Sequence, residues 1–272
     1  MKSNSDVSLE EAHAYILATL PGEPMRAPFM LLILAVPCSA QIQTAPPAVA
    51  IADGGTSGRM ESIFIPPIAN APFTLTLLTE WSRPLANGGT YILTNQRRIA
   101  RDGKGRIYEE RWLLVPKGSK IPSVMDVRQF ADPTRHTLSN CFTDGKICQL
   151  LPYSGSTQAV YRPATAPTGA LPDGTGFHQH EDLGVANTNG VDTTGYRETT
   201  TINPGVMGND QPMISIREFW YSAQLGINLI SKVDTPQSGK QIFTVRDLTT
   251  SEPDPTLFEL PEGYKITDRT KE

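Results

Sequence analysis

From about Ser62 onward, apolar and polar residues alternate along the chain with a period of two. Phe73, Leu75, Leu77, Thr79 and Trp81 fall on one side of a stretch whose other side carries Thr74, Thr76, Glu80 and Ser82. The same rhythm runs through Tyr108-x-Glu110-x-Trp112-x-Leu114 and Ile214-x-Ile216-x-Glu218-x-Trp220, then Ile227, Leu229 and Val233, then Phe243 and Val245. Side chains that change sides at every residue describe pleated strands. Turn residues at 86–89, 102–105, 144–145, 189–190 and 237–239 separate the stretches at hairpin spacing. The pattern predicts about ten strands in an antiparallel meander. Residues 152–176 interrupt it as a long surface loop. Helical signal shrinks to one turn at 254–259, with Asp254 as its cap and Pro255 at its first position. Leu257 and Phe258 on that turn are placed to pin this end against the sheet. The predicted fold class is mainly all-β: a large curved antiparallel meander with few short helices.

The N-terminus carries a different signal. Residues 27–37 (APFMLLILAVP) form an apolar run too short for the roughly 20 residues a membrane-spanning helix needs. Arg26 precedes it, and Cys38-Ser39-Ala40 supplies small residues for a cut before Gln41, the layout of a secretory signal peptide. Residues 1–24 precede this leader and include a capping box at Ser8-Leu9-Glu10-Glu11. Such a prefix is foreign to an export signal, so translation is expected to start at Met25, with residues 25–40 as signal peptide and 1–24 as a start-site miscall. Pro37 disfavours lipidation at Cys38. Residues 41–58, rich in Pro, Ala and Gly, read as a flexible linker, leaving 59–272 as a single β domain. The expected location is periplasmic or extracellular, with no transmembrane span in the mature chain.

Cleavage removes Cys38 and leaves Cys141 and Cys148. Around Asp144-Gly145 a two-residue turn sets 143 opposite 146, 142 opposite 147 and 141 opposite 148. The two sulfurs then share a face across the ladder, and an oxidising compartment makes them a disulfide. The spacing is unlike the C-x-x-C of metal and redox sites.

The chain has 24 Lys+Arg against 28 Asp+Glu, a formal charge of −4, which argues against a nucleic-acid partner. His178, His180 and Asp182 alternate on one strand and offer a metal-ligand spacing similar to the start of an H-x-H-x-D-H signature; Leu183 stands where that signature has its last histidine. Residues 53–59 (DGGTSGR) are glycine-rich but precede Ile63-Phe64-Ile65-Pro66-Pro67, which cannot form the helix a phosphate loop requires. Glu109 and Glu110 point to opposite faces and cannot act as one acid–base pair. Arg97, Arg98, Arg101, Arg106 and Arg111 gather on one hairpin, either to meet an anionic group or as a salt-bridged surface with Asp102, Glu109 and Glu110. No cofactor and no catalytic residues are predicted, and an enzyme is the less favoured class.

Several segments resemble an uncharacterised family of secreted bacterial proteins of acidobacterial type. They are Ala100-Arg101-Asp102-Gly103-Lys104-Gly105-Arg106-Ile107-Tyr108-Glu109-Glu110, Asp132-Pro133, Glu181-Asp182-Leu183-Gly184, Gly195-Tyr196-Arg197, Gly208-Asn209-Asp210-x-Pro212, Glu218-Phe219-Trp220-Tyr221-Ser222, and 252–264. More distantly, the strand–turn rhythm is similar to LolA-like periplasmic lipoprotein carriers and related envelope regulators of sigma factors. That resemblance implies a half-barrel whose apolar face takes acyl chains. Its expected lining here is Leu75, Leu77, Trp81, Trp112, Ile216 and Trp220, and its partner an apolar or lipidic ligand or a lipoprotein. The alternatives are a structural or sensory interaction module working through strand edges, and a metal-dependent enzyme at His178, His180 and Asp182. N-terminal sequencing of the exported protein is expected to begin at Gln41, and a precursor peptide covering residues 9–20 would refute initiation at Met25.

Overall fold

The computed structural model describes residues 63–157 and 165–271; the start-site, leader and linker readings on residues 1–58 lie outside them. The described residues belong to one compact unit and form an open, curved sheet of fourteen strands with no α-helix among them. The mainly β fold class expected from the period of two is the one found.

Strand β1 (Phe73–Pro84) lies at the centre, between β2 (Thr90–Arg101) and β13 (Gly239–Thr249). One wing runs outward from β2 through β3 (Ile107–Trp112), β5 (Met125–Asp132), β6 (Thr137–Phe142) and β7 (Ile147–Pro152). The other runs from β13 through β12 (Ile227–Thr235), β11 (Met213–Ser222), β10 (Val191–Ile202) and β9 (Gly176–Thr188) to the two-residue β8 (Gly169–Ala170). Each wing is a meander of consecutive antiparallel hairpins. The exceptions are β4 (Val115–Pro116), which pairs with β2 beside β3, and β14 (Lys265–Asp268), which lies parallel to β7 at the edge. Irregular register at Thr74/Thr76, Arg111/Trp112, Gly195/Tyr196 and Trp220/Tyr221 marks bulges, the devices that bend strands.

The strand count exceeds the expected ten because β4, β8 and β14 are too short, or too exposed, to show a period. β8 also falls in the segment expected as loop. The disulfide Cys141–Cys148 is present, and the two residues are paired across β6 and β7 as counted from the turn. The connection is looser than a two-residue turn. Pairing ends at Phe142↔Ile147, with Gly145 and Lys146 at positive φ.

Apolar residues bury themselves on both faces. On the Leu75 face, Phe73, Leu75, Leu77, Ile99, Leu229, Phe243 and Val245 form the main core, closed at one end by Ile63, Ile65 and Leu225. On the reverse, Tyr108, Phe130, Ala100 and the disulfide form a second core under Leu257, Phe258, Leu260 and Tyr264. The turn at Pro255–Phe258, with the Asp254 carboxylate accepting from the Thr256 amide at 2.9 Å, thus pins the sheet end as expected.

One buried side chain joins the closing segments to the sheet. Arg101 is fully buried, its guanidinium 4.8 Å over the Phe73 ring. It donates to the carbonyls of Ala71 (3.0 and 2.8 Å), Pro66 (2.8 Å) and Leu225 (2.6 Å). Burial lowers its pKa to about 10, so it stays charged at neutral pH. The neighbouring Asp102 binds the amides of Lys104 and Arg106 and the Arg106 Nε at 2.7 Å, fixing the turn. Gly105 at φ +83° passes so close to the Pro67 carbonyl that a Cβ would sit 2.9 Å from it. The Arg-Asp-x-x-Gly-Arg signature is therefore a fastening of the fold. Arg101→Met, which leaves these carbonyls dry, is expected to cost at least about 3 kcal/mol in urea unfolding, and Arg101→Lys less. An unshifted midpoint for Arg101→Met would refute the clamp.

Candidate functional site

Register decides which expected residues can meet. Leu75 and Leu77 are core, at 1% and 0% exposure. Trp81 is half-buried farther along the same face of β1, under the Arg83 guanidinium, with its indole donating to the Ser238 carbonyl. Trp112 lies on the other face with Tyr108 and Glu110, its Nε1 donating to Glu110 at 2.8 Å. Trp220 and Ile216 share that reverse face. The Trp220 ring covers Gly195, where a Cβ would meet it at 2.8 Å, and Ile216 borders a shallow depression with Glu218 and Lys232. The six residues are divided between the two faces and do not line one surface.

His178, His180 and Asp182 do share a face, at the far wing. The His178 Nδ1 is 3.1 Å from the Thr200 hydroxyl and its Nε2 4.0 Å from Glu198. The His180 Nε2 is 3.3 Å from Asp182, and its ring stacks on Tyr196 at 5.9 Å. Among the described residues, no three of His, Cys, Asp and Glu are grouped to hold a metal ion. Glu109 and Glu110 take opposite faces, as the pleat requires: Glu109 faces Arg111 at 3.6 Å, whereas Glu110 binds Tyr108 at 2.9 Å. Burial, reinforced by this carboxylate, pushes the Tyr108 hydroxyl well above its ordinary range.

A groove of about 460 Å³ lies on the reverse face of the three central strands. Its floor is built in rows by the register: Gln96, Leu78 and Thr244 in one, Thr94, Glu80 and Ile242 in the next. The segment 113–124, which joins β3 to β5, forms one side of it and contributes Val115 and Ser123. This side is held by β4 pairing with Leu93 and Thr94, by the Leu113 amide on the Val124 carbonyl at 2.9 Å, and by Lys117 on Glu80 at 2.6 Å. Leu113, Ile121 and Val124 along it are each more than half exposed. Leu78, Val115, Ile242 and the threonine methyls supply the apolar part of the lining, Glu80, Asn95, Gln96 and Ser123 the polar part, and Arg246 stands at one end. None of the six residues expected from sequence borders it.

No protein-family model matches the chain, and no curated protein matches it. Sixty chains of solved structures do. A chain of the MucA/MucB complex of Pseudomonas aeruginosa aligns over 74% of this chain and 59% of its own, at 11% identity and a TM-score of 0.37. A LolA superfamily protein of Nitrosomonas europaea aligns over 70% and 90%, at 6% identity and 0.32. The lipoprotein LppX of Mycobacterium tuberculosis aligns over 68% and 89%, at 12% identity and 0.28. The chain thus spans less than two thirds of the MucA/MucB chain it matches. Likeness of this degree carries nothing about ligand or partner.

Beside the groove, Glu218 joins three strands: it accepts from Lys232 at 2.6 Å, Arg197 at 2.9 Å and Trp220 at 3.3 Å. Burial pushes its carboxyl up, but the three donors outweigh that and bring it down from 4.5 to about 2. A depressed folded pKa stabilises above the unfolded pKa, and the contribution is lost as pH falls toward 2. Glu218→Gln is expected to flatten the acid limb of stability between pH 4.5 and 2, by about 1 kcal/mol after solvent screening. Thermal melts across that window check it; parallel pH profiles for variant and wild type would refute it.

Proposed function

We propose that this chain is an exported, non-catalytic envelope module that binds a lipidic or apolar ligand, or a lipid-modified partner, in the groove beside segment 113–124. The observation that carries this reading is the groove itself. Its volume lies in the range of small-ligand clefts, about 300–1,000 Å³, and it sits on the most deeply embedded strands of the sheet. Rigid strands hold a site better than loops do. The exposed Leu113, Ile121 and Val124 put further apolar surface on the segment that borders it. Export is supported by the leader pattern at 25–40 and by a buried cysteine pair suited to an oxidising compartment.

A second reading, an interaction module working through a strand edge, is favoured by β9. Phe177 and His178 of this strand pair with β8 and the Thr168 hydroxyl holds the His180 amide and carbonyl, so the outer edge beyond His180 is the part without a strand partner among the described residues. The two readings separate by mass spectrometry of organic extracts from the natively purified mature protein. Acyl-bearing species are expected with the wild type, and at least fivefold less with Ile242→Glu, a half-buried position where a carboxylate replaces the apolar floor. A wild-type extract free of such species would refute ligand binding.

A further inference from the structure

Two cations, Arg246 at the end of the groove and Arg98 in the same row just outside it, have no partner to neutralise them. Thr76 of β1 pairs on one side with Arg98 of β2 and on the other with Arg246 of β13, so all three side chains stand on the groove face in one row. This row adjoins the one containing Leu78. Both arginines are exposed, and neither guanidinium has an ion pair or hydrogen bond among the described residues. The other arginines of this hairpin are engaged: Arg101 on carbonyls, Arg106 on Asp102, Arg111 on Glu109 and Gln129. Glu110, the carboxylate nearest in register, is committed to the Tyr108 hydroxyl, the Trp112 indole and the Arg98 amide.

The groove therefore has a direction. At one end Arg246 borders the groove, and Thr76 and Arg98 stand in its row just outside the lining. The middle row is Leu78 between Gln96 and Thr244, and the far row runs from Val115 through Thr94 and Glu80 to Ile242. The acid in that far row, Glu80, is already neutralised by Lys117. Strands about 4.8 Å apart set the two arginine backbones about 10 Å from each other, a span over which two planar forks can converge on one oxyanion.

We infer that the groove is specific for a single-chain amphiphile with an anionic oxygen head, gripped between Arg98 and Arg246, with its chain lying over Leu78 toward the row that ends in Ile242. This rests on the proposed ligand groove and adds the chemistry of the head. Two unpaired guanidinium groups beside an apolar channel favour such a head through charge-assisted, bidentate hydrogen bonds. An uncharged head gains none of these contacts.

Calorimetric titration of the mature protein with dodecyl phosphate and with glycerol monododecanoate, both below their micellar concentrations, tests the inference. Dodecyl phosphate is expected to bind about tenfold tighter. Arg98→Gln with Arg246→Gln is expected to remove that advantage while changing monododecanoate affinity less than twofold, and Arg98→Lys with Arg246→Lys to retain part of it. Both positions are exposed, and unchanged thermal melts establish that the variants fold. Inorganic phosphate alone is expected to give no heat. Equal affinity for the two amphiphiles in the wild type, or a preference that survives the double glutamine variant, overturns the head assignment and leaves the groove standing. Binding of inorganic phosphate as tight as that of dodecyl phosphate overturns the role of the chain. Failure of both amphiphiles to bind overturns the groove as well.

Discussion

A single desolvated guanidinium fastens the segments that close one end of the main core. An open sheet of this width has no second layer among the described residues to force its closing segments into place, so something must fasten them. Arg101 does so with four hydrogen bonds to carbonyls from two distant parts of the chain, the segment leading into β1 and the turn between β11 and β12. Carbonyl oxygens buried at a sheet end are costly when unpaired, and an arginine is the one side chain with enough donors in a fixed plane to satisfy several at once. Asp102, Gly105 and Arg106 then hold the turn that delivers it. Ile63 and Ile65 reach the core because the chain beside them is fixed at Pro66 and Ala71.

The period of two made the fold class legible, and counting outward from Asp144-Gly145 placed Cys141 opposite Cys148 even though the connection is longer than a two-residue turn. Hairpin neighbours share a local rule, so their relation can be counted. Faces do not carry across a sheet in the same way. Trp112 and Trp220 each sit on a clean alternation, but which side that alternation shares with Leu75 depends on the pairings β1–β2 and β2–β3 on one wing and β1–β13, β12–β13 and β11–β12 on the other. A shift of one residue in any of these registers reverses the parity, and no single strand's sequence carries that register. That is why the expected apolar lining divides between two surfaces.

The groove did leave a trace in the sequence. The polar side of β1 reads Thr74, Thr76, Glu80, Ser82, and Leu78 breaks it; Ile242 breaks the side of β13 that carries Lys240, Thr244 and Arg246. An apolar residue on an otherwise polar face marks a place where that face is covered or occupied. The arginines were visible as a group but not as individuals. Composition alone cannot separate Arg101, sunk in the core, from Arg98 three residues earlier, which points into water. Only the register and the burial of each position distinguish a fastening from a free cation.

The order of strands also governs when the molecule can be completed. Its central seam joins β1 to β13, so the innermost ladder waits for nearly the whole chain to emerge, while each wing zips from adjacent hairpins. Contacts between residues so far apart in sequence are slow to form because loop closure must precede them. Until then the inner edge of β1 stands bare. A chain that emerges N-terminus first holds that edge open longest, which makes the two sides of the seam the segments most exposed to misassociation while the molecule folds.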